Sequence, residues 1–250
     1  MPVPWKLAIV VGASSGMGEA ISRRLAENGC KVALVARRKE ELNAISSSIN
    51  ESAGREMALP FPFDVVDAHS TTAKFHEIVA ALGGLDAIFY TAGVMPAIAP
   101  DEYNIGKDDP IIQVNCLGAV AWINAAAHRF TQMNGGTIVG ISSVAGDRGR
   151  RGNPVYGASK AFLNTYLESV RNRAARRGVN VITIKPGPVE TPMTESLGHM
   201  PGMISAQEAA DAIIIAARDR VEVAYVPAKW KLIMAIVKAI PSSIFRYLNI

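Results

Sequence analysis

A chain of 250 residues with 49% hydrophobic residues and a mean hydropathy of +0.18 can bury one large core, so a single α/β domain is expected rather than two. Two cysteines, Cys30 and Cys116, exclude a disulfide scaffold and fit buried free thiols in a reducing, cytoplasmic compartment. Four scattered histidines, His69, His76, His128 and His199, offer no metal-ligand cluster, and a net charge of +4 leans only mildly towards anionic surfaces; no metal and no nucleic acid are expected.

In chain order, Leu7–Val11 is an apolar run without alternation, as expected of a strand buried on both faces of a parallel sheet. Gly12-Ala13-Ser14-Ser15-Gly16-Met17-Gly18 follows at once, and a helical pattern covers 16–28. Strand, glycine turn and helix N-terminus together make an anion site, because backbone N–H groups and the helix dipole point at a phosphate. The spacing is G-x-x-x-G-x-G rather than the common G-x-G-x-x-G of dinucleotide folds.

The second strand, 32–36, ends at Arg37-Arg38-Lys39. An NAD enzyme needs a carboxylate there for the adenosine ribose hydroxyls, whereas two guanidinium groups suit a 2′-phosphate. Ser14 can add a hydroxyl, and the alternative is a solvated basic helix start. Further strands are predicted at 57–63, 87–91, 137–141, 181–185 and Val223–Val226. Helices are predicted near Lys39–Ala53, 70–82, 109–131, 156–177 and Ala206–Arg218. This alternation implies a doubly wound, Rossmann-type parallel sheet of seven strands with helices on both faces. Nothing before residue 230 is expected to reach membrane-spanning length.

Tyr156-Gly157-Ala158-Ser159-Lys160 puts a phenol and an ammonium four residues apart, on one helix face. A neighbouring positive charge favours the phenolate, so Lys160 is expected to pull the Tyr156 pKa down from about 10. The basic loop Asp147-Arg148-Gly149-Arg150-Arg151-Gly152 reads either as solvated or as an attractor of anionic substrates.

With these motifs in order, the sequence resembles the classical short-chain dehydrogenases/reductases over roughly residues 6–226. Gly12, Gly16 and Gly18 match the cofactor loop of that family, with Ser14, Ser15 and Met17 between them. Asn115 in Val114-Asn115-Cys116-Leu117-Gly118 matches its helix asparagine. Ser143, rather than Ser142, stands at the usual spacing for the catalytic serine, and Tyr156 and Lys160 match the catalytic pair. Pro186-Gly187, Val189 and Thr191 resemble the segment that closes over the nicotinamide. Two departures stand out: Val11 replaces a common threonine, and Tyr90-Thr91-Ala92-Gly93 replaces Asn-Asn-Ala-Gly, which puts the hydrogen-bond support of the central sheet in doubt.

The resemblance implies an NADP(H)-dependent oxidoreductase acting on a carbonyl or alcohol, with NADP(H) preferred over NAD(H). Tyr156 would be the acid/base, Lys160 would lower its pKa and hold the nicotinamide ribose, Ser143 would bind the substrate oxygen, and Asn115 would support a proton relay. Asp64 and Val65 would meet the adenine, and Ala92 and Gly93 would lie along the cofactor. A regulator that binds NADP(H) without turnover should lack one of the proton-transfer residues, and none is missing. An extended epimerase normally needs more chain than the roughly 65 residues after Lys185.

Residues 187–205 read as a substrate lid, with Met193, Leu197, Met200 and Met203 as an apolar wall suited to a hydrophobic ketone or aldehyde. The long helices 109–131 and 156–177 are more apolar than one sheet-facing stripe demands. Ala119, Val120, Ile123, Ala126 and Ala127, with Phe162, Leu163, Tyr166 and Val170, suggest a homodimer or homotetramer. Residues 1–228 then form the catalytic domain and 229–250 a hydrophobic helical extension. That extension reads either as helices packing over the pocket or a partner, the commoner use of amphipathic stretches, or as a peripheral membrane element.

Overall fold

In a computed structural model of the chain, the described residues are 2–99, 101–195, 198 and 200–248. Leu197 of the expected lid wall and His199 lie outside them. Seven strands run in the order β3-β2-β1-β4-β5-β6-β7, and every pairing is parallel. They are β1 Leu7–Val11, β2 Lys31–Ala36, β3 Ala58–Pro62, β4 Ala87–Tyr90, β5 Gly136–Ile141, β6 Val179–Pro186 and β7 Val223–Val226. Parallel strands need crossovers, and helices supply them on both faces.

One face is covered by α1 Gly16–Glu27, α2 Lys39–Ala53 and α7 Ala206–Arg218, around a core that includes Val10, Leu34, Phe89 and Ile184. The other is covered by α3 Thr71–Leu82, α5 Ala119–Met133 and α6 Pro154–Ala174, packed on Ile9, Val35, Ile88 and Ile138. Neighbouring residues of one strand thus feed opposite cores, which is why these strands read as continuous apolar runs. The order reverses between β1 and β4, the switch point at whose carboxyl side ligands bind in such sheets.

The predicted helix 109–131 is longer and less regular than expected. It starts with α4 Ile105–Ile112, capped by the Asn104 side chain, passes through a π-helical turn at Gln113–Gly118 and continues as α5. Ile105–Met133 is long and apolar enough to cross a membrane, contrary to the expectation from sequence, yet Trp122, Ile123, Ala126 and Phe130 are buried against α3, α6 and the sheet. The chain ends in α8 Trp230–Ala239 and α9 Ser242–Phe245.

The doubt over the Tyr90-Thr91 departure is resolved by geometry. The Thr91 hydroxyl and backbone N–H both donate to the Val11 carbonyl, at 2.7 and 2.8 Å, tying β4 to β1. Tyr90 is buried and donates to the Val114 carbonyl at 2.7 Å, inside the π turn. Gly118 leaves room for that phenol, since a Cβ there would stand 2.8 Å from its oxygen.

Candidate active site

Every motif singled out in the sequence follows the carboxyl end of a strand. After β1, the backbone N–H groups of Gly12 and Ala13 both donate to the Val35 carbonyl, at 2.7 and 3.1 Å. Gly12 has φ +93°, and a Cβ there would lie 2.5 Å from the Ala92 nitrogen. A Cβ on Gly18 would overlap the Gly12 carbonyl oxygen. Glycine is therefore required at position 12 by both space and φ, and at position 18 by space. The Ser15 side chain does not cap α1, so the N-terminal amides of the helix are left for an anion.

A cleft of about 230 Å³ is bounded by residues 14–18, Arg37, Arg38, Val65, residues 91–94 and Thr191 to Met193. At one end the Arg38 guanidinium donates to the Ser14 and Ser15 hydroxyls at 2.9 and 2.7 Å. Arg37 stands 3.9 Å from the Asp64 carboxylate, and both are exposed. Two guanidinium groups and two hydroxyls converging beside the ribose end of such a cleft suit a phosphate monoester. The glycine cradle and the open helix terminus likewise fit a pyrophosphate.

At the other end lie the proton-transfer candidates. The Asn115 side chain accepts from the Val94 N–H at 2.8 Å and donates to the Val94 carbonyl and the Ser159 hydroxyl, both at 3.1 Å. Ser159 in turn donates to the Tyr156 carbonyl at 2.7 Å. Lys160 is buried, and its ammonium donates to the Ile141 carbonyl at 3.0 Å and lies 5.6 Å from the Tyr156 ring centre. Burial pushes the Lys160 pKa down to about 8. Gly93 keeps the floor flat, since a Cβ there would be 3.4 Å from both the Lys160 Nζ and the Asn115 Oδ1.

Ser143, not Ser142, is the serine whose hydroxyl acts on the Tyr156 phenol, and it also accepts from the Ala145 N–H at 3.0 Å. The Ser142 hydroxyl instead donates to the Lys160 carbonyl at 3.0 Å. The expected effect of Lys160 on Tyr156 is not what the structure shows. Burial raises the Tyr156 pKa, and the opposing influences are the Ser143 hydrogen bond and the positive charge of Arg150. The Lys160 ammonium, 5.6 Å from the Tyr156 ring centre, spends one of its N–H groups on the Ile141 carbonyl.

Residues 186–191 complete the wall. The Gly187 N–H donates to the Val226 carbonyl at 2.9 Å, Val189 is buried and bridged to Ile204, and the Thr191 methyl packs towards Gly16. Met193 lines the cleft near Gly93, as the apolar-wall reading expects.

The loop after Ser143 divides: residues 149–152 are exposed, as the solvated reading expects, whereas Asp147 and Arg148 are engaged. The Asp147 side chain is buried and accepts from Lys185 at 2.5 Å and from the Tyr225 hydroxyl at 2.6 Å. Arg148 clamps the end of α8, and the Trp230 ring packs directly over Gly187. Asp147 and Arg148, named beforehand only within the charged loop, and Trp230, named only within the C-terminal extension, thus engage Lys185, Tyr225 and distant backbone that the sequence did not single out. Their partners lie 38 to 92 residues away, and no spacing rule connects them.

The short chain dehydrogenase family matches residues 6–202. The chain is 33% identical over 212 residues to an uncharacterized oxidoreductase of Staphylococcus epidermidis, covering 84% of this chain and 90% of that one. It is 34% identical over 208 residues to an uncharacterized oxidoreductase of Myxococcus xanthus, covering 83% and 81%. Among solved structures it is similar to a short-chain dehydrogenase from Sphingobium yanoikuyae in complex with NADPH (TM-score 0.81, 23% identity, 97% and 98% covered). It is also similar to a bulky-bulky ketone specific alcohol dehydrogenase from Comamonas testosteroni (TM-score 0.79, 22% identity, 95% and 96% covered). With its fold, its ordered motifs and the span of these matches, the chain belongs to the classical short-chain dehydrogenases/reductases, a family of oxidoreductases.

Proposed function

We propose that this chain is an NADP(H)-dependent carbonyl reductase for hydrophobic ketones or aldehydes. The observation that carries the reading is the joining of Ser143, Tyr156, Lys160 and Asn115 into one cluster at the end of the glycine-lined cleft. NADP(H), when bound, supplies the hydride. Gly12, Gly16 and Gly18 with the α1 terminus would hold its pyrophosphate, and Arg37, Arg38 and Ser14 its 2′-phosphate. Asp64 and Val65 would lie at the adenine, and Ala92, Gly93, Lys160, Pro186, Gly187, Val189 and Thr191 along the nicotinamide half.

The chain's own chemistry is proton delivery. Ser143 positions the substrate oxygen, and the Tyr156 phenol donates its proton to that oxygen as negative charge develops there. A raised phenol pKa keeps Tyr156 protonated at neutral pH, the form that reduction requires. Asn115, fixed at both ends of its amide, holds the helix turn beside Lys160 in register for proton return. Met193 in the cleft supports an apolar substrate, as does the ketone named for the Comamonas structure.

Replacing Tyr156 by Phe tests this reading with NADPH and a panel of aryl and alkyl ketones. Turnover is expected to fall by about 10²–10⁴, the usual worth of a positioned acid; retention of most activity overturns the assignment. Wild type is expected to bind NADPH more tightly than NADH, with Arg37→Ala and Arg38→Ala narrowing the gap. Equal affinities in wild type would remove the 2′-phosphate role.

A further inference from the structure

Helix α8 carries apolar side chains on its outward side as well as on the side it packs, where Met234 is buried and Trp230 and Val237 are half-buried. It buries only Met234 of its ten residues, whereas α7 buries six of thirteen. Leu232 and Ile236 stand two positions before and after Met234, about 160° around a helix of 3.6 residues per turn. They are 70% and 60% exposed. Ala235 and Ala239 are exposed on the same side of α8, and beyond Pro241 the apolar side chains of Ile244, Tyr247 and Leu248 are exposed as well. A helix that merely covered a pocket would turn these side chains inward.

The element is nonetheless held in place. Arg148 donates to the Val237 and Ile240 carbonyls, both at 2.6 Å, and to the Lys238 carbonyl at 3.2 Å. Its guanidinium also lies 3.8 Å from the Phe245 ring centre. One cation thus satisfies the open carbonyls of α8 and fixes the turn into α9. Trp230 anchors the opposite end against Gly187.

Charge decides the occupant of the outward face. From Val223 onward the sequence has Lys229, Lys231, Lys238 and Arg246 and no acidic residue. A second copy of the same face would set like charges against one another, which a two-fold interface cannot relieve. Aliphatic and tyrosine side chains flanked by cations, on helices too short to span, match an anionic lipid surface. We infer that α8–α9 is a docking element for an anionic bilayer, presented ready-folded on the rim of the active site. Docked in this way, Gly187 and Gly202 lie close to the lipid-facing element, because a Cβ on Gly202 would come within 2.9 Å of the Lys229 Nζ and Trp230 covers Gly187. The docking depends on no step of the proposed reduction.

The test is co-sedimentation of the full chain with phosphatidylcholine vesicles, with and without one-third phosphatidylglycerol. Binding to the anionic vesicles is expected, with loss in about 1 M salt, where screening reaches only about 3 Å. Leu232→Ser with Ile236→Ser should lower partitioning at least about tenfold. Lys231→Gln with Lys238→Gln should lower it by about 30-fold, from roughly fivefold per cation near an anionic surface. Both double variants should keep the wild-type thermal midpoint, because the altered side chains are exposed. Absence of wild-type binding, equal binding to neutral vesicles, or unchanged binding of the Leu232/Ile236 variant overturns the inference. So does a fall in midpoint of that variant, which would make the face a packed one. Conversion of a larger species to a smaller one by the same variant, without vesicle binding, assigns the face to a second copy and overturns it too.

Discussion

Lys160 occupies a costly position, and the cost has a measurable sign. Its ammonium is buried with the Ile141 carbonyl as its acceptor, and its pKa falls from 10.5 to about 8 through desolvation. The unfolded chain therefore holds one more proton than the folded chain between about pH 8 and 10.5. Stability from this group rises with pH across that window and is lowest below it. A tenfold change in proton affinity is about 1.4 kcal/mol, so the ceiling on the effect is about 3 kcal/mol. Lys160→Met removes it. The variant is expected to be more stable than wild type at pH 7, and that advantage should shrink steadily towards pH 10, read from urea midpoints at each pH. An advantage that is flat with pH would refute the buried-charge account. The same residue shows where sequence reasoning stops. The i,i+4 spacing placed Tyr156 and Lys160 side by side, as observed, but said nothing of the Ile141 carbonyl that accepts a hydrogen bond from the ammonium. Arg150 likewise acts on the phenol through the fold rather than through its place in a run of charges.

At the scale of elements, the π turn at Gln113–Gly118 carries Asn115 and depends on a residue from another strand. Tyr90 reaches across from β4 to the Val114 carbonyl. Removing its hydroxyl leaves a buried acceptor unpaired, worth about 1–3 kcal/mol. Tyr90→Phe should therefore lower the thermal midpoint by about 3–10 °C for a chain of this size. It should also loosen the Asn115 amide from Val94 and so slow turnover more than it weakens cofactor binding. An unchanged midpoint would show that the bond contributes nothing. The strands and most helices were legible beforehand because apolar runs and caps are local signals: Leu7–Val11 and Ala206–Arg218 fall where predicted. The π turn was not, because its hydrogen bond joins residues 24 apart, and neither was the Arg148 clamp, whose partners lie about 90 residues on. The glycine loop and the Tyr156/Lys160 pair were legible because close backbone approach and helix spacing constrain residue type, whereas Ser143 came from the family resemblance alone.

At the scale of the whole molecule, the apolar excess expected on the two long helices is mostly spent within the chain. Ala119, Ile123, Ala126, Leu163 and Val170 are all buried in its own core, so they cannot serve a partner. What stays outside is a smaller set: Ile112 and Leu117 before α5, and Phe162 on α6. Phe162 stacks on Tyr166, whose hydroxyl donates to Asn124 at 2.7 Å and so joins α6 to α5. At 1.5 Å per residue these helices run about 22 and 32 Å. Side by side they present a face large enough for the roughly 800 Å² per partner of a standard interface. Homo-oligomerisation through this face is therefore expected, with Phe162 near its centre. Phe162→Asp puts a charge where a partner would bury a ring and should convert the wild-type species to a smaller one by light scattering at micromolar concentration. Its thermal midpoint at low concentration should stay close to wild type, since Phe162 belongs to neither core cluster. A monomeric wild type, or an unchanged oligomer in the variant, would remove this face from consideration.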